Sequence, residues 1–321
     1  MRIHIHNSAS GPSELSLSVD ALADRLAKEG VPLQRLAITS GAMLAEVPDA
    51  DVLFSCEKVD IGRAKSLMPS LQWVQVISAG VEGYLSTLPD TVKLTNASGV
   101  HGEKGGEFVL AAALMLNYRI PKFATDQKER RWQPEFATPA KGKRVTLLGL
   151  GGIGSEAAKA LRSRGFNVTG VTRSGKSDVS VDIMISVDMI DSILPQTDIL
   201  VSTLPLTSES RNLISRERLE TMPDHAGIIV VGRAAVVDYE AMIDLLIAGR
   251  LGGAVLDVFP QEPLPGDSRI WNCPNLIMTP HCSVDDHSIY MSRCLDIFAD
   301  NVQRFLREEP LRNLIDPALG Y

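Results

Sequence analysis

Three glycines in the stretch RVTLLGLGGIG, residues 144–154, stand at the spacing Gly149-x-Gly151-x-x-Gly154. An apolar strand-like run precedes them, and the helical pattern SEAAKALRSRG follows. The first glycine permits a tight turn, and the second lets the backbone approach a pyrophosphate. The third lets helix and strand pack closely, while the helix N-terminus faces the phosphates, and Gly152 and Ile153 inside the turn are cofactor-binding candidates with the three glycines. A lone pattern of this kind is weak evidence. Set between a strand and a helix, with a second strand FNVTGVT at the right distance, it reads as a dinucleotide cradle.

The second strand of such a unit ordinarily ends on an acid that hydrogen-bonds the adenine ribose. Here it ends in GVTRSGKS, 170–177, with Thr172, Arg173 and Ser174 at that place. Loss of the carboxylate removes repulsion from a 2′-phosphate, and Arg173 supplies a planar donor fork for one. A charge-assisted contact contributes on the order of 1.5–3 kcal/mol, so NADP(H) is expected to be preferred, with NAD(H) as the second cofactor.

These residues need a scaffold, and the pattern of the chain describes one. RIHIH at 2–6 alternates like a strand, and VDALADRLAKEG at 19–30 is an amphipathic helix. LQRLAI, DVLFSC, LQWVQVIS and VKLTNA follow as strand-like runs, with the helical IGRAKSLMP at 61–69 among them. Such alternation implies a parallel sheet covered by helices. GEKGGEFVLAAALMLNYRI, 102–120, is predicted as one long helix that ends before Pro121 and crosses between two domains. A polar stretch, DQKERRWQPEFATPAKGK, separates it from a new alternating series that starts at Arg144. The last helical segment, SIYMSRCLDIFADNVQRFLREE, is too small to form a domain and must pack on one already built. The expected architecture is α/β, with two doubly wound, Rossmann-like parallel-sheet domains and a cleft between them. Residues 1–100 plus 284–321 would form a discontinuous substrate domain, and 101–283 the NADP-binding domain.

Composition narrows the function classes. The 321 residues are 45% hydrophobic and 22% charged, with net charge −7, proportions of a soluble globular protein rather than a general nucleic-acid or membrane-surface binder. The N-terminus MRIHIHNSASGPSE has no apolar core of a signal peptide, and the longest apolar run, FVLAAALML, is too short to span a bilayer. Cys56, Cys273, Cys282 and Cys294 show neither CxxC pairing nor a disulfide-framework pattern. They are expected to be reduced and simply buried, in a cytoplasmic protein without a metal site.

The second half of the chain carries further stretches: ILVSTLPLTSESRNLI, VVGRAAVVDYEAMIDLLIAGRLGGAVLDVFPQEPLP and TPHCSVDD. With VISAGVEGY at 76–84, LTNASGVHGEKGGEFVLAAAL at 94–114 and the glycine turn, their order along nearly the whole chain resembles the D-isomer-specific 2-hydroxyacid dehydrogenases. The similarity is strongest to the glyoxylate/hydroxypyruvate reductase branch. The resemblance implies that Arg233 binds the substrate carboxylate and keto oxygen, that His281 gives and takes the proton, and that Glu262 pairs with His281. It places Asp257 near the nicotinamide end and Thr203, Leu204 and Pro205 along the cofactor. The backbone of Ala79, Gly80 and Val81 would hold the substrate carboxylate. It also implies a homodimer, with the 101–135 region supplying much of the interface.

The chemistry asks for the same residue types. Reducing a 2-oxo acid requires a cation that orients a carboxylate, and arginine does so bidentately. It requires a proton donor near neutral pH, which histidine supplies, and a carboxylate that fixes the ring's tautomer. The expected reaction is NAD(P)H-dependent reduction of a small 2-oxo acid, glyoxylate- or hydroxypyruvate-like, to the D-2-hydroxy acid. The alternatives are an NAD-linked dehydrogenase for a larger side chain and a non-catalytic dinucleotide-sensing protein of the same fold. Two departures from the family pattern stand beside Arg233. Val230 replaces an asparagine, and Ala234 replaces a glycine, a change that strains the backbone if φ is positive there. Trp132 is expected to pack, with reach into a substrate pocket across a dimer as the alternative. His4, His6, His225 and His287 are taken as structural or surface residues, and His101 as a cleft residue outside the chemistry.

Overall fold

The computed structural model describes residues 1–321, and the chain divides into two units, Met1–Val100 with Asp286–Tyr321, and His101–Asp285. In the first, strands β1 (Arg2–His6), β2 (Ala37–Gly41), β3 (Val52–Ser55), β4 (Trp73–Val76) and β5 (Lys93–Thr95) form an all-parallel sheet in the order β2-β1-β3-β4-β5. Helices α1 (Val19–Lys28) and α2 (Ile61–Leu67) start on Ser18 and Asp60, whose side chains accept from the Ala21 and Arg63 N–H groups. Each thereby satisfies one of the orphan donors of a first turn.

Strands β3 and β4 are buried along their whole length, because both faces of this sheet are covered. Side chains alternate between two cores. Val52, Phe54 and Trp73 meet the C-terminal helix Tyr290–Leu306, while Leu53, Val74 and Val76 meet Ile61, Ala64 and Met68. Phe298 of that helix lies 4.8 Å from the Phe54 ring centroid and 5.1 Å from that of Trp73. The last helix thus completes the first sheet.

The second unit opens with α3 (Gly102–Asn117) and α4 (Ile120–Lys128). The single helix read over 102–120 is therefore two. Arg119 takes φ 58°, which breaks the ladder, and Pro121 sits in the first turn of α4, where a missing N–H costs nothing. Next come β6 (Arg144–Leu148), α5 (Gly152–Ser163), β7 (Asn167–Thr172), β8 (Ile183–Ser186), α6 (Ile190–Ile193), β9 (Ile199–Ser202) and α7 (Arg216–Thr221). The unit closes with β10 (Gly227–Val230), α8 (Tyr239–Ile247), β11 (Gly253–Leu256) and β12 (Leu276–Met278). The seven strands are parallel in the order β12-β11-β10-β9-β6-β7-β8, so the chain reverses direction beside β6. A switch point of this kind leaves a crevice at the carboxyl ends of the strands. Helix α3 approaches α5 so closely that a Cβ on Gly106 would lie 2.8 Å from the Glu156 backbone.

Two expectations about single side chains fail. Trp132 does not pack within the chain: it is 96% exposed, with Phe136 at 94%. Cys282 is exposed rather than buried, while Cys56 and Cys294 are buried and all four cysteines are free.

His4 on β1 is buried, with Nδ1 2.8 Å from the Thr39 hydroxyl and Nε2 without a partner. Desolvation, with a smaller contribution from His6, lowers its pKa from 6.5 to about 4. The unfolded chain therefore binds a proton that the fold rejects, and stability is lost as pH falls from 6.5 towards 4. Linkage makes this about 2–3 kcal/mol by pH 4.5. Urea midpoints of the wild type and His4→Gln between pH 7.5 and 4.5 test it; parallel losses in the two would sink the assignment.

Candidate active site

Strand β6 feeds the glycine turn. Gly149 takes φ +88° and donates its N–H to Val171 O at 3.0 Å. A Cβ on Gly154 would stand 2.1 Å from Gly149 O, so no side chain fits there. Gly151 caps α5, and a Cβ on it would meet nothing within 4 Å. Its backbone thus borders open space at a helix N-terminus, the setting a pyrophosphate requires. Thr203, just beyond β9, donates to Leu148 O and Gly149 O at 3.0 and 3.1 Å and braces the turn, while Leu204 packs over Gly149. Pro205 O accepts from Ser210 Oγ at 2.7 Å. Thr172 ends β7 in a small loop closed by its own hydroxyl, which accepts from Lys176 N at 3.1 Å. Arg173 and Ser174 are exposed beside it.

A second cluster forms where β10, β11 and β12 end. Asp257, the first residue after β11, is fully buried. Its Oδ1 accepts from Thr279 Oγ1 at 2.6 Å, Ser283 N at 3.1 Å and Cys282 N at 3.2 Å. These donors flank His281, which is held at φ 49°. His281 Nδ1 lies 2.6 Å from Glu262 Oε2, and Glu262 Oε1 accepts from Phe259 N at 2.8 Å. The carboxylate is thus oriented on both oxygens and engages Nδ1, so Nε2 is the ring nitrogen that Glu262 does not engage. The loop that carries Glu262 is itself supported. The Tyr239 hydroxyl donates to Val258 O at 2.6 Å, and burial together with Glu262 and Asp257 pushes its pKa up. Trp271 Nε1 donates to Pro265 O at 2.7 Å.

Arg233 precedes a short 3-10 turn, Ala234–Val236, and its Nη1 donates to Gly232 O at 3.1 Å. Ala234 belongs to that turn with φ on the ordinary negative side, so the strain anticipated for alanine there is absent. Val230 is buried at the end of β10 in an apolar core and needs no polar partner.

Arg233 and His281 both bear electrostatically on the ring of His101, at the start of α3. His101 Nδ1 lies at the ion-pair distance of 3.2 Å from Asp285 Oδ1, and the Val284 backbone supports the ring. Burial lowers the His101 pKa, and Asp285 opposes that. Sequence reasoning missed Asp285 and the supports from Tyr239 and Thr203. All three lie inside the quoted motifs, but a motif does not say which distant atoms its residues meet, and His101 and Asp285 stand far apart in the chain.

One unit therefore gathers the glycine turn, Arg233, Asp257, Glu262, His281 and His101. Ala79, Gly80 and Val81 belong to the other unit, in the loop after β4. There Ala79 O accepts from Asn96 Nδ2 at 2.6 Å, Gly80 O accepts from Ser78 Oγ at 2.9 Å, and Val81 is buried.

Removing the Asp257 carboxylate strips three donors of their acceptor in a buried place. Hydrogen bonds to a charged group contribute about 1.5–3 kcal/mol each without adding fully. Asp257→Ala is expected to cost about 3 kcal/mol or more in urea unfolding; a loss under about 1 kcal/mol would show that the His281 turn holds its shape unaided.

The chain is similar to proteins of one family. Residues 110–283 match the family model described as the NAD binding domain of D-isomer specific 2-hydroxyacid dehydrogenase. Glyoxylate/hydroxypyruvate reductase A of Salmonella typhimurium is 28% identical over 260 residues, covering 78% of this chain and 82% of that protein. A solved D-isomer specific 2-hydroxyacid dehydrogenase family protein from Aeromonas salmonicida is 31% identical with TM-score 0.79, covering 98% of this chain and 99% of that one. A D-isomer specific 2-hydroxyacid dehydrogenase from Xanthobacter autotrophicus, solved in complex with NADPH and MES, is 30% identical with TM-score 0.84, covering 100% and 99%. On its family-model match and these near full-length likenesses, the chain belongs to the D-isomer-specific 2-hydroxyacid dehydrogenase family, the NAD(P)-dependent oxidoreductases that act on CH–OH groups.

Proposed function

We propose that this protein reduces a small 2-oxo acid of the glyoxylate or hydroxypyruvate class to the D-2-hydroxy acid, with NADPH as the preferred reductant. The observation that carries the reading is the 2.6 Å Glu262–His281 pair, in the unit that also holds Arg233 and the glycine turn. Likeness to the Salmonella glyoxylate/hydroxypyruvate reductase supports the substrate class, and the NADPH complex of the Xanthobacter enzyme supports the cofactor.

The residues present fit a dinucleotide. Gly151 leaves its backbone facing open space, and the buried Asp257 Oδ2 has no protein partner and is an acceptor of the kind a carboxamide N–H would satisfy. Gly149 through Gly154 would hold the pyrophosphate. Thr172, Arg173 and Ser174 would hold the adenine ribose and its phosphate, and Thr203 to Pro205 would line the path to Asp257. The bound cofactor supplies the hydride. Arg233 orients the carboxylate and keto group. His281 Nε2 delivers the proton to the keto oxygen, and Glu262 keeps the ring in the orientation that presents Nε2.

Oxidation of NADPH and NADH by glyoxylate, hydroxypyruvate and pyruvate tests this directly. His281→Ala is expected to lower kcat by 10²- to 10⁴-fold, as loss of a general acid does, while Arg233→Ala raises KM as well. Arg173→Ala is expected to reduce kcat/KM with NADPH roughly ten- to hundredfold and leave NADH nearly untouched. Equal losses with both cofactors would remove the 2′-phosphate role, and wild-type protein that turns over none of the three acids would remove the reductase.

We also infer a homodimer through the segment after α4. Trp132 and Phe136 stand almost fully exposed there, and ion pairs from Glu135 to Lys122 and Arg119 lay the segment along the start of α4, where Tyr118 and Ile120 are exposed too. Large apolar groups clustered in this way suit a second copy of the chain. Sedimentation is expected to give a dimer that the Trp132→Ser, Phe136→Ser double variant dissociates; a wild-type monomer at micromolar concentration would overturn this.

A further inference from the structure

The chain passes between its two units at Val100–His101 and again at Asp285–Asp286. The residues on the second-unit side of both crossings, His101 and Asp285, face each other at 3.2 Å between Nδ1 and Oδ1. Lys104, one turn along α3, donates its ammonium to Asp285 O, so the segment after His281 is tied to α3 twice more by backbone contacts, through Val284 and Asp285. The His101 side chain is mostly buried, at 15% exposure, whereas that of Asp285 is 37% exposed. A buried imidazole against a carboxylate, within electrostatic reach of Arg233 and His281, is placed to respond to charge arriving at that site.

We propose that His101 and Asp285 are a positioning pair for the reduction, locking the segment behind His281 against α3 and tightening when an anionic substrate neutralises Arg233. The inference rests on the substrate reading above. Neither residue is assigned contact with the reacting atoms, and both act through Arg233 and His281. The charges that bear on the ring are Asp285, which favours the imidazolium, and Arg233 and His281, which oppose it. Glu103, the acid of the same helix turn, is exposed. Before substrate binds, burial first and the Arg233 charge after it hold the His101 pKa below its ordinary value. A carboxylate on Arg233 cancels part of that repulsion, so the ring can take up a proton and its contact with Asp285 becomes a charged one. Substrate binding is then linked to proton uptake, and binding should tighten as pH falls through the His101 titration.

The test compares wild type with Asp285→Asn and His101→Gln. Steady-state kinetics with glyoxylate and NADPH from pH 5.5 to 8 should show KM raised about tenfold in each variant, with kcat changed less than about threefold and NADPH affinity unchanged. The fall of KM on the acid side should flatten in His101→Gln. Wild-type KM and an unaltered pH profile in both variants would overturn the proposal. Imidazole NMR supplies a readout free of turnover: oxalate, an unreactive analogue, should raise the His101 pKa in the wild type, and Asp285→Asn should abolish that rise. A ring that ignores oxalate would overturn the pair. A wild-type protein that turns over no 2-oxo acid, yet shows the oxalate response, would sink the reductase reading and sustain the coupling.

Discussion

One buried carboxylate oxygen, Asp257 Oδ1, organises the chemistry-bearing end of the second unit. Placing a carboxylate at zero exposure is costly unless its lone pairs are satisfied. Thr279, Cys282 and Ser283 satisfy this oxygen with one hydroxyl and two backbone N–H groups. All three belong to the same tight turn, so satisfying the charge and shaping the turn are one event. His281 lies inside it at positive φ, a conformation that costs a non-glycine residue and persists only where its surroundings enforce it. The ring is consequently directed at Glu262, whose other oxygen is fixed by Phe259 N.

Helix α3 links this cluster to the glycine turn. Its glycine face presses on α5, so the N-terminal end of α5 is set by helix packing as well as by the turn itself. His101, the residue just before it, meets Asp285, which follows closely on the Asp257-held turn. Both the glycine turn and the Glu262–His281 pair therefore refer to one helix. The first unit uses the same physics for a different purpose. Its parallel strands are buried on both faces, and the C-terminal helix supplies Phe298 against Phe54 and Trp73 to cover one of them.

Much of this was legible in the residues. Alternating strand and helix patterns announced parallel sheets, because fully buried parallel strands leave short continuous apolar runs in the sequence. The glycine spacing announced its turn, because only glycine tolerates φ +88° at Gly149 and the 2.1 Å approach at Gly154. The break at Arg119 escaped notice: an arginine in the left-handed region has no signature in composition, and Pro121 suits the first turn of a helix as well as it ends one. Ala234 would strain its loop only at positive φ, and the structure places it in a short 3-10 turn on the negative side.

By itself, the sequence determined which residue types exist at motif spacing: the glycine turn, the arginine in place of an acid after β7, and an arginine, a glutamate and a histidine in family order. These are local facts, decided by φ/ψ tolerance, hydrophobic period and charge. Only the tertiary structure decided that Asp257 spends one oxygen on the His281 turn, that Thr203 braces Gly149, that Trp132 stands exposed, and that His101 and Asp285 meet. Such pairings depend on where separate strands end in space, and a one-dimensional pattern carries no term for the distance between them.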